Sequence, residues 1–265
     1  MTMQRSTALI TGASSGIGAV YADRLAARGY DLVLVARREA RLLALAEQLE
    51  QRYGVTIATL TADLTDETGI RAVEEVLRSN TAIDTLVNNA GTAQMAPFLA
   101  GDVAQHQAIN MLNTTALMRL TYALLPRLAQ NNKGTLINIA SVLSLHVRAG
   151  SALYSATKGW VLNFTRGLQE EFADSQLRIQ AVLPAATATE IWEISGVSID
   201  ELPEGSVMTT DNMVDAALAG LDQGELITIP PMHDESLWAR YEEARLALFA
   251  SARTGEPAPR YLTKP

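Results

Sequence analysis

The stretch Thr11-Gly12-Ala13-Ser14-Ser15-Gly16-Ile17-Gly18 decides how this chain is read. It comes after a short apolar run at residues 7–10 and leads into an apolar helical pattern over residues 16–28. Glycines spaced G-x-x-x-G-x-G after a strand are a variant of the dinucleotide-binding turn. One glycine permits the tight turn, another lets backbone N–H groups approach a pyrophosphate, and the last lets helix and strand pack closely. The helix start adds unsatisfied donors and the positive end of its dipole. The same residues also match G-x-S-x-G from Gly12 to Gly16, the nucleophile elbow of α/β-hydrolases, which would make Ser14 the nucleophile and His233 its partner. An elbow on the first strand has no preceding strand to supply the second oxyanion donor, which counts against it. A third reading is a glycine-bearing loop without a ligand.

Outward from this turn, β-type runs alternate with helical patterns. Candidate strands are residues 7–10, 31–36, 56–61, 85–88, 135–140, 178–183 and 226–229. Several are almost wholly apolar, as strands covered on both faces of a parallel sheet should be. Helical patterns span residues 16–28, 39–53, 67–79, 102–131, 151–173 and 210–222. In the second of these, Leu42, Leu45, Ala46 and Leu49 recur at i, i+3, i+4 and i+7 and mark one buried stripe. Repeated strand–helix alternation means βαβ units with right-handed crossovers. A closed (β/α)₈ barrel and an open doubly wound sheet both use that pattern. Seven candidate strands and a glycine-rich first connection favour the open, Rossmann-type α/β sheet with helices on both faces.

A chain of 265 residues allows one large domain or two small ones, at about 150 residues per domain. No linker or composition break divides it, so the expectation is a single domain over residues 1–265. Two stretches fall outside the repeat: an insertion at 189–209 and a tail at 254–265 with Pro257, Pro259 and Pro265. Long loops of this kind are functional or disordered. The insertion carries Ile191, Trp192, Ile194, Val197 and Met208, and reads as an apolar lid over a substrate pocket.

Hydrophobic residues make up 48% of the chain and charged ones 19%, enough for a sizeable core. The net charge of −8 argues against nucleic acid or an anionic membrane as the main partner. There is no cysteine, which removes disulfides, thiol nucleophiles and Cys-ligated metals. His106, His146 and His233 lie far apart, so no metal site is expected. The apolar run at Ala8-Leu9-Ile10 is too short for a signal peptide. Nor is there a run of about 18 apolar residues to span a bilayer, so the expected location is the cytoplasm.

The end of the second strand narrows the ligand. An NAD-binding unit places an acidic residue about 20 positions after the glycine turn to meet the ribose hydroxyls. Here the strand ends in Ala36-Arg37-Arg38. Two arginines at a helix start oppose the helix dipole, at a cost of about 0.3–1 kcal/mol each. A 2′-phosphate would offset that cost.

Tyr154-Ser155-Ala156-Thr157-Lys158 opens a helical pattern, so Tyr154 and Lys158 share one face at i and i+4. The strand at 135–140 ends at Ser141, and ligands of open α/β sheets sit beyond the carboxyl ends of the strands. A free tyrosine has a pKa of about 10, and a nearby ammonium brings it toward working pH. The phenol then serves as a proton donor, while a serine hydroxyl bonds the same carbonyl oxygen as it gains charge.

Together these residues resemble the short-chain dehydrogenases/reductases, over nearly the whole chain. Thr11 to Gly18 matches the family's T-G-x-x-x-G-x-G loop, and Asn88-Asn89-Ala90-Gly91 its N-N-A-G motif. Tyr154 and Lys158 match its Y-x-x-x-K, with Ser141 at the family's spacing of 13 residues before the tyrosine. The resemblance implies a fourth catalytic residue, an asparagine holding a relay water. Of Asn110 and Asn113, the family's spacing to the proline near that helix's end, here Pro126, selects Asn113. It also implies that Asp63 and Leu64 lie at the adenine, and that Pro184, Thr187 and Thr189 hold the nicotinamide carboxamide. Ala185 replaces a glycine of that last segment. Ala36 with Arg37 resembles the NADP-preferring members.

The expected protein is therefore an NADP(H)-dependent oxidoreductase acting on a small-molecule carbonyl or alcohol, with Asn113, Ser141, Tyr154 and Lys158 catalytic. Cofactor contacts are expected from Gly12, Ser14, Ser15, Gly16, Ile17, Gly18, Arg37, Arg38, Asp63, Leu64, Asn89, Ala90, Gly91, Tyr154, Lys158, Pro184, Thr187 and Thr189. The alternative is a non-catalytic NADP-binding sensor or scaffold on the same fold. The resemblance further implies a homodimer or homotetramer, its helices 102–131 and 151–173 forming a four-helix contact across a two-fold axis. A second apolar stripe, Leu237, Tyr241, Ala244 and Leu248 with Trp238 and Phe249 beside it, lies on the helical pattern at 235–251.

Overall fold

A computed structural model of the chain describes residues 5–262. The chain falls into two compact units, residues 1–231 and 232–265. The first holds a seven-stranded, all-parallel sheet in the order β3-β2-β1-β4-β5-β6-β7. Its strands are β1 (Thr7–Thr11), β2 (Asp31–Ala36), β3 (Ile57–Thr61), β4 (Ile83–Asn88), β5 (Gly134–Ile139), β6 (Leu177–Val182) and β7 (Ile227–Thr228). The order reverses between β1 and β4, which opens a crevice at their carboxyl ends.

Both faces of the sheet are covered, and the period of two sorts the strand residues between them. Ala8 and Ile10 of β1, with Leu32 and Leu34 of β2, join one cluster. It is completed by α1 (Gly16–Ala27), α2 (Glu39–Tyr53) and α8 (Thr210–Asp222). Leu9, Val33 and Val35 point the other way, onto α3 (Glu67–Ser79), α5 (Leu117–Asn131) and α6 (Ala152–Glu171). This is the open doubly wound sheet, and the near-continuous apolar strands are its consequence.

The expected helix at 102–131 is interrupted. It consists of α4 (Val103–Asn110), a π-helical turn at Met111–Ala116, and α5. The Thr114 hydroxyl bonds the Asn110 carbonyl at 2.6 Å, and Asn113 reaches away from the helix to bond other segments. A π turn of this kind aims a side chain at the cost of regular packing. Pro126 lies inside α5 without ending it.

The insertion at 189–209 carries short helical elements of its own. It forms α7 (Ile191–Ser195) and a 3₁₀ turn at Ile199–Glu201. Thr187 and Met208 pair as an isolated parallel bridge at its base, and Met95 N donates to the Ser195 carbonyl at 3.0 Å.

The second unit contains α9 (Glu235–Ser251) and a 3₁₀ turn at Pro259–Tyr261. No residue of α9 is buried, and Leu237, Leu248 and Phe249 are exposed. The end of the expected tail, residues 263–265, lies outside the described residues. Among the described residues no helix is long and apolar enough to cross a membrane.

Candidate active site

The glycine turn closes on itself as its spacing requires. Gly12 has φ +68°, in the region that favours glycine. A Cβ on Gly18 would lie 2.4 Å from the Gly12 carbonyl oxygen and 2.6 Å from Asn89 Nδ2. Gly18 is therefore the close-packing glycine, behind the turn. The N-N-A-G segment after β4 clamps the turn from the other side. Asn89 Nδ2 donates to the Thr11 carbonyl at 2.9 Å, and the Thr11 hydroxyl accepts from the backbone N–H of Asn89 and of Ala90 at 3.0 Å each. Asn88 does something different. Its Nδ2 bonds Thr121 and Asn138, and Asn138 bonds Thr165, tying β4 and β5 to the helices beneath them.

Ser141 stands just past the end of β5, buried, where it caps the 3₁₀ turn Val142–Ser144 by accepting from Leu143 N at 3.1 Å. Tyr154 and Lys158 lie in the first two turns of α6, both on one cavity. The Lys158 ammonium, 6% exposed, donates to the Ile139 carbonyl at 2.8 Å and sits 5.8 Å from the centre of the Tyr154 ring. Asn113 is buried behind them in the π turn. Its Oδ1 accepts from Thr92 N at 2.9 Å, and its Nδ2 donates to the Thr92 carbonyl and the Thr157 hydroxyl. A Cβ on Gly91 would lie 3.4 Å from Asn113 Oδ1 and 3.5 Å from Lys158 Nζ, so the two groups flank the same point. Asn110, the rejected candidate, ends α4 and is exposed.

Burial dominates the electrostatics of the pair. It pushes the Tyr154 phenol up to about 12, opposed by a hydrogen bond with Ser141, and pulls the Lys158 ammonium down to about 8. The expected lowering of Tyr154 by Lys158 is absent from this structure. The ammonium is engaged by the Ile139 carbonyl, and loss of solvent outweighs its attraction at that distance.

Of the expected site residues, all but Gly18 and Asn113 line one cavity of about 440 Å³ at the carboxyl end of the sheet. One end holds the glycine turn with Arg37, Arg38, Asp63 and Leu64; the middle holds Asn89, Ala90, Gly91, Ser141, Tyr154 and Lys158. Pro184, Thr187 and Thr189 close the third side, Thr189 against Gly16. Apolar side chains also line it: Met95, Leu112, Val142, Leu143, and Ile191, Trp192, Ile194 and Leu202 from the insertion. The insertion thus contributes part of the cavity wall.

Arg37 is largely exposed and 3.9 Å from Asp63. Arg38 donates to the hydroxyls of Ser14 and Ser15 and to Glu190. This disposes of the nucleophile elbow, because Ser14 Oγ is bonded by a guanidinium, which cannot take its proton. Glu190, Arg41, Thr92 and Thr157 were not legible as site residues. Their partners are set by tertiary structure, and no spacing in the sequence signals them.

Comparison with known proteins accords with this geometry. Residues 6–196 match the family described as short chain dehydrogenase. The chain belongs to the short-chain dehydrogenases. A short-chain dehydrogenase from Sphingobium yanoikuyae, solved in complex with NADPH, is 47% identical with a TM-score of 0.93, covering 97% of this chain and all of that one. The bulky-bulky ketone specific alcohol dehydrogenase from Comamonas testosteroni is 43% identical with a TM-score of 0.90, covering 98% of this chain and all of that one. An NADP-dependent 3-hydroxy acid dehydrogenase from Schizosaccharomyces pombe is 37% identical over 188 residues, 69% of this chain and 72% of that protein.

Proposed function

We propose that this short-chain dehydrogenase is an NADP(H)-dependent oxidoreductase that interconverts a bulky, largely apolar ketone and its alcohol. The observation that carries this reading is the single cavity in which Ser141, Tyr154 and Lys158 face an apolar end while glycines and arginines line the other. A phosphorylated dinucleotide fits the residues present. The cavity is walled by glycines: a Cβ on Gly12 would collide with Asn89 Nδ2 at 2.8 Å and one on Gly16 would crowd Thr189 at 3.2 Å, and no carboxylate ends β2. Arg37 and Arg38 would hold a 2′-phosphate, the glycine turn the pyrophosphate, and Thr187 and Thr189 the nicotinamide amide. When bound, the cofactor supplies or accepts the hydride.

In reduction, Tyr154 and Ser141 donate to the substrate's carbonyl oxygen, and Tyr154 delivers its proton as that oxygen gains charge. Lys158 stabilises the resulting phenolate and binds the nicotinamide ribose. Asn113, fixed by Thr92 and Thr157, positions the relay water. A sensor or scaffold has no use for a serine, a tyrosine and a lysine together on one cavity. The lid's Ile191, Trp192 and Ile194, together with Met95 and Leu143, support a bulky apolar substrate.

Two further readings belong with this one. Most leucines of α5 and α6 are covered by their own sheet, including Leu117, Leu120, Leu124 and Leu162. Met118, Tyr122 and Trp160 remain exposed, and this narrower patch supports a homodimer or homotetramer. Light scattering tests it: a mass near the 28.5 kDa of one chain refutes it. The protein works in the cytoplasm, where NADP(H) is available.

Fluorescence titration with NADPH and NADH tests the cofactor. NADPH is expected to bind at least about tenfold tighter, since a 2′-phosphate on an arginine is a charge-assisted contact that NADH lacks. Equal dissociation constants contradict the reading.

A further inference from the structure

Glu190 occupies an unusual place. It is the second residue of the lid, next to Thr189, yet its carboxylate reaches the glycine turn and the start of α2. Oε2 accepts from Arg38 Nη1 at 2.7 Å and from Ser15 Oγ at 3.0 Å, and Oε1 accepts from Arg41 Nη1 at 2.6 Å. Arg38 Nε and Nη2 donate to Ser14 and Ser15. An anion of the chain itself therefore sits on the donors assigned above to the anionic end of the cofactor.

Fold stability does not account for this arrangement. The side chains of Glu190, Arg38 and Arg41 are 39–51% exposed, and ion pairs so exposed contribute little to folding. Position gives them consequence, because they join the lid to the glycine turn and the start of α2, segments about 150 residues away in the chain. The surrounding donors hold the Glu190 carboxyl down at about 2, so it is an anion at every working pH. A second anion on Arg38 must displace it or bear the repulsion.

We propose that Glu190 is an internal anion that holds the lid to the cofactor loop and yields Arg38 to a 2′-phosphate, so that this phosphate releases the lid's base. The inference rests on the NADP(H) reading. It makes Glu190 a specificity-determining residue: nucleotides without the 2′-phosphate leave it in place. Trp192, two residues along and bonded through Nε1 to the Thr187 carbonyl at 2.7 Å, reports the lid's state.

The test titrates the whole chain with 2′,5′-ADP and, separately, with 5′-ADP, which carries a pyrophosphate but no 2′-phosphate. Tryptophan emission is followed, and Trp192→Phe separates the lid's signal from those of Trp160 and Trp238. In the wild type, 2′,5′-ADP is expected to change Trp192 emission and 5′-ADP to leave it unchanged. Glu190→Gln is expected to start at the changed emission and to bind 2′,5′-ADP about fivefold tighter, the effect of losing two partly exposed ion pairs that compete with the ligand. Unchanged or weaker 2′,5′-ADP binding by Glu190→Gln overturns the inference alone, as does an equal Trp192 response to both nucleotides. If 2′,5′-ADP binds the wild type no better than 5′-ADP does, the NADP(H) reading fails and the inference falls with it.

Discussion

The Lys158 ammonium donates to the Ile139 carbonyl at 2.8 Å, at the end of the strand that leads to Ser141. The strand thus orients the lysine, while burial draws its pKa down to about 8 and pushes Tyr154 up to about 12. Carbonyl reduction needs both groups protonated. Tyr154 stays protonated throughout the working range, whereas Lys158 loses its charge as pH rises through about 8.

The reductive kcat/KM, which reports ionisations of the free enzyme, should therefore be flat below about pH 8 and fall above it. In Lys158→Arg, whose guanidinium keeps its charge beyond about pH 12, the rate should be lower at about pH 7 but the fall should disappear. Values of kcat/KM from about pH 6 to about pH 10, a range that spans the ionisation of a perturbed lysine, check this. A wild-type profile that stays level across that range contradicts it.

Gly18→Ala should damage the cofactor end of the site. Its Cβ would meet the Gly12 carbonyl oxygen at 2.4 Å, a backbone atom that cannot move without opening the turn. Overpacking of this kind costs about 1–3 kcal/mol. The expected result is a lower Tm with NADPH affinity reduced at least tenfold. An unchanged dissociation constant would show that the turn does not cradle the cofactor.

Tyr21→Phe should stabilise the protein. Tyr21 is fully buried in α1, and among the described residues its hydroxyl has no hydrogen-bond partner. Removing an unsatisfied buried hydroxyl is worth about 1 kcal/mol, or roughly 2–4 °C in Tm for a domain of this size. Thermal unfolding decides it, and a lower Tm shows that the hydroxyl is satisfied in solution.

The strands were legible because each is covered on both faces, which makes residues such as Leu32 to Val35 continuously apolar. Their ends shifted by a residue or two, as at β4, which starts at Ile83 rather than residue 85. The glycine turn and Tyr154–Lys158 were legible because each works within one short segment. The π turn was not, since it answers to Thr92 and Thr157, which lie outside the helix. Glu190 was hidden for the same reason: its partners Ser15, Arg38 and Arg41 come from the opposite end of the chain. The i, i+4 spacing placed Tyr154 beside Lys158 but carried no information about burial, and burial decides both pKa shifts.

Tyr154 supplies the proton to a ketone in this mechanism while the rest of the chain binds NADPH, and one comparison separates the two roles. Wild type and Tyr154→Phe are assayed for NADPH consumption with a panel of bulky apolar ketones and for NADPH binding by fluorescence. Equal NADPH affinity is expected, with a turnover about 10²–10⁴-fold lower in the variant, the usual loss when a general acid is removed. A variant that retains more than about a tenth of the wild-type rate, against that expected loss, or a wild type that consumes NADPH with none of the ketones, contradicts it.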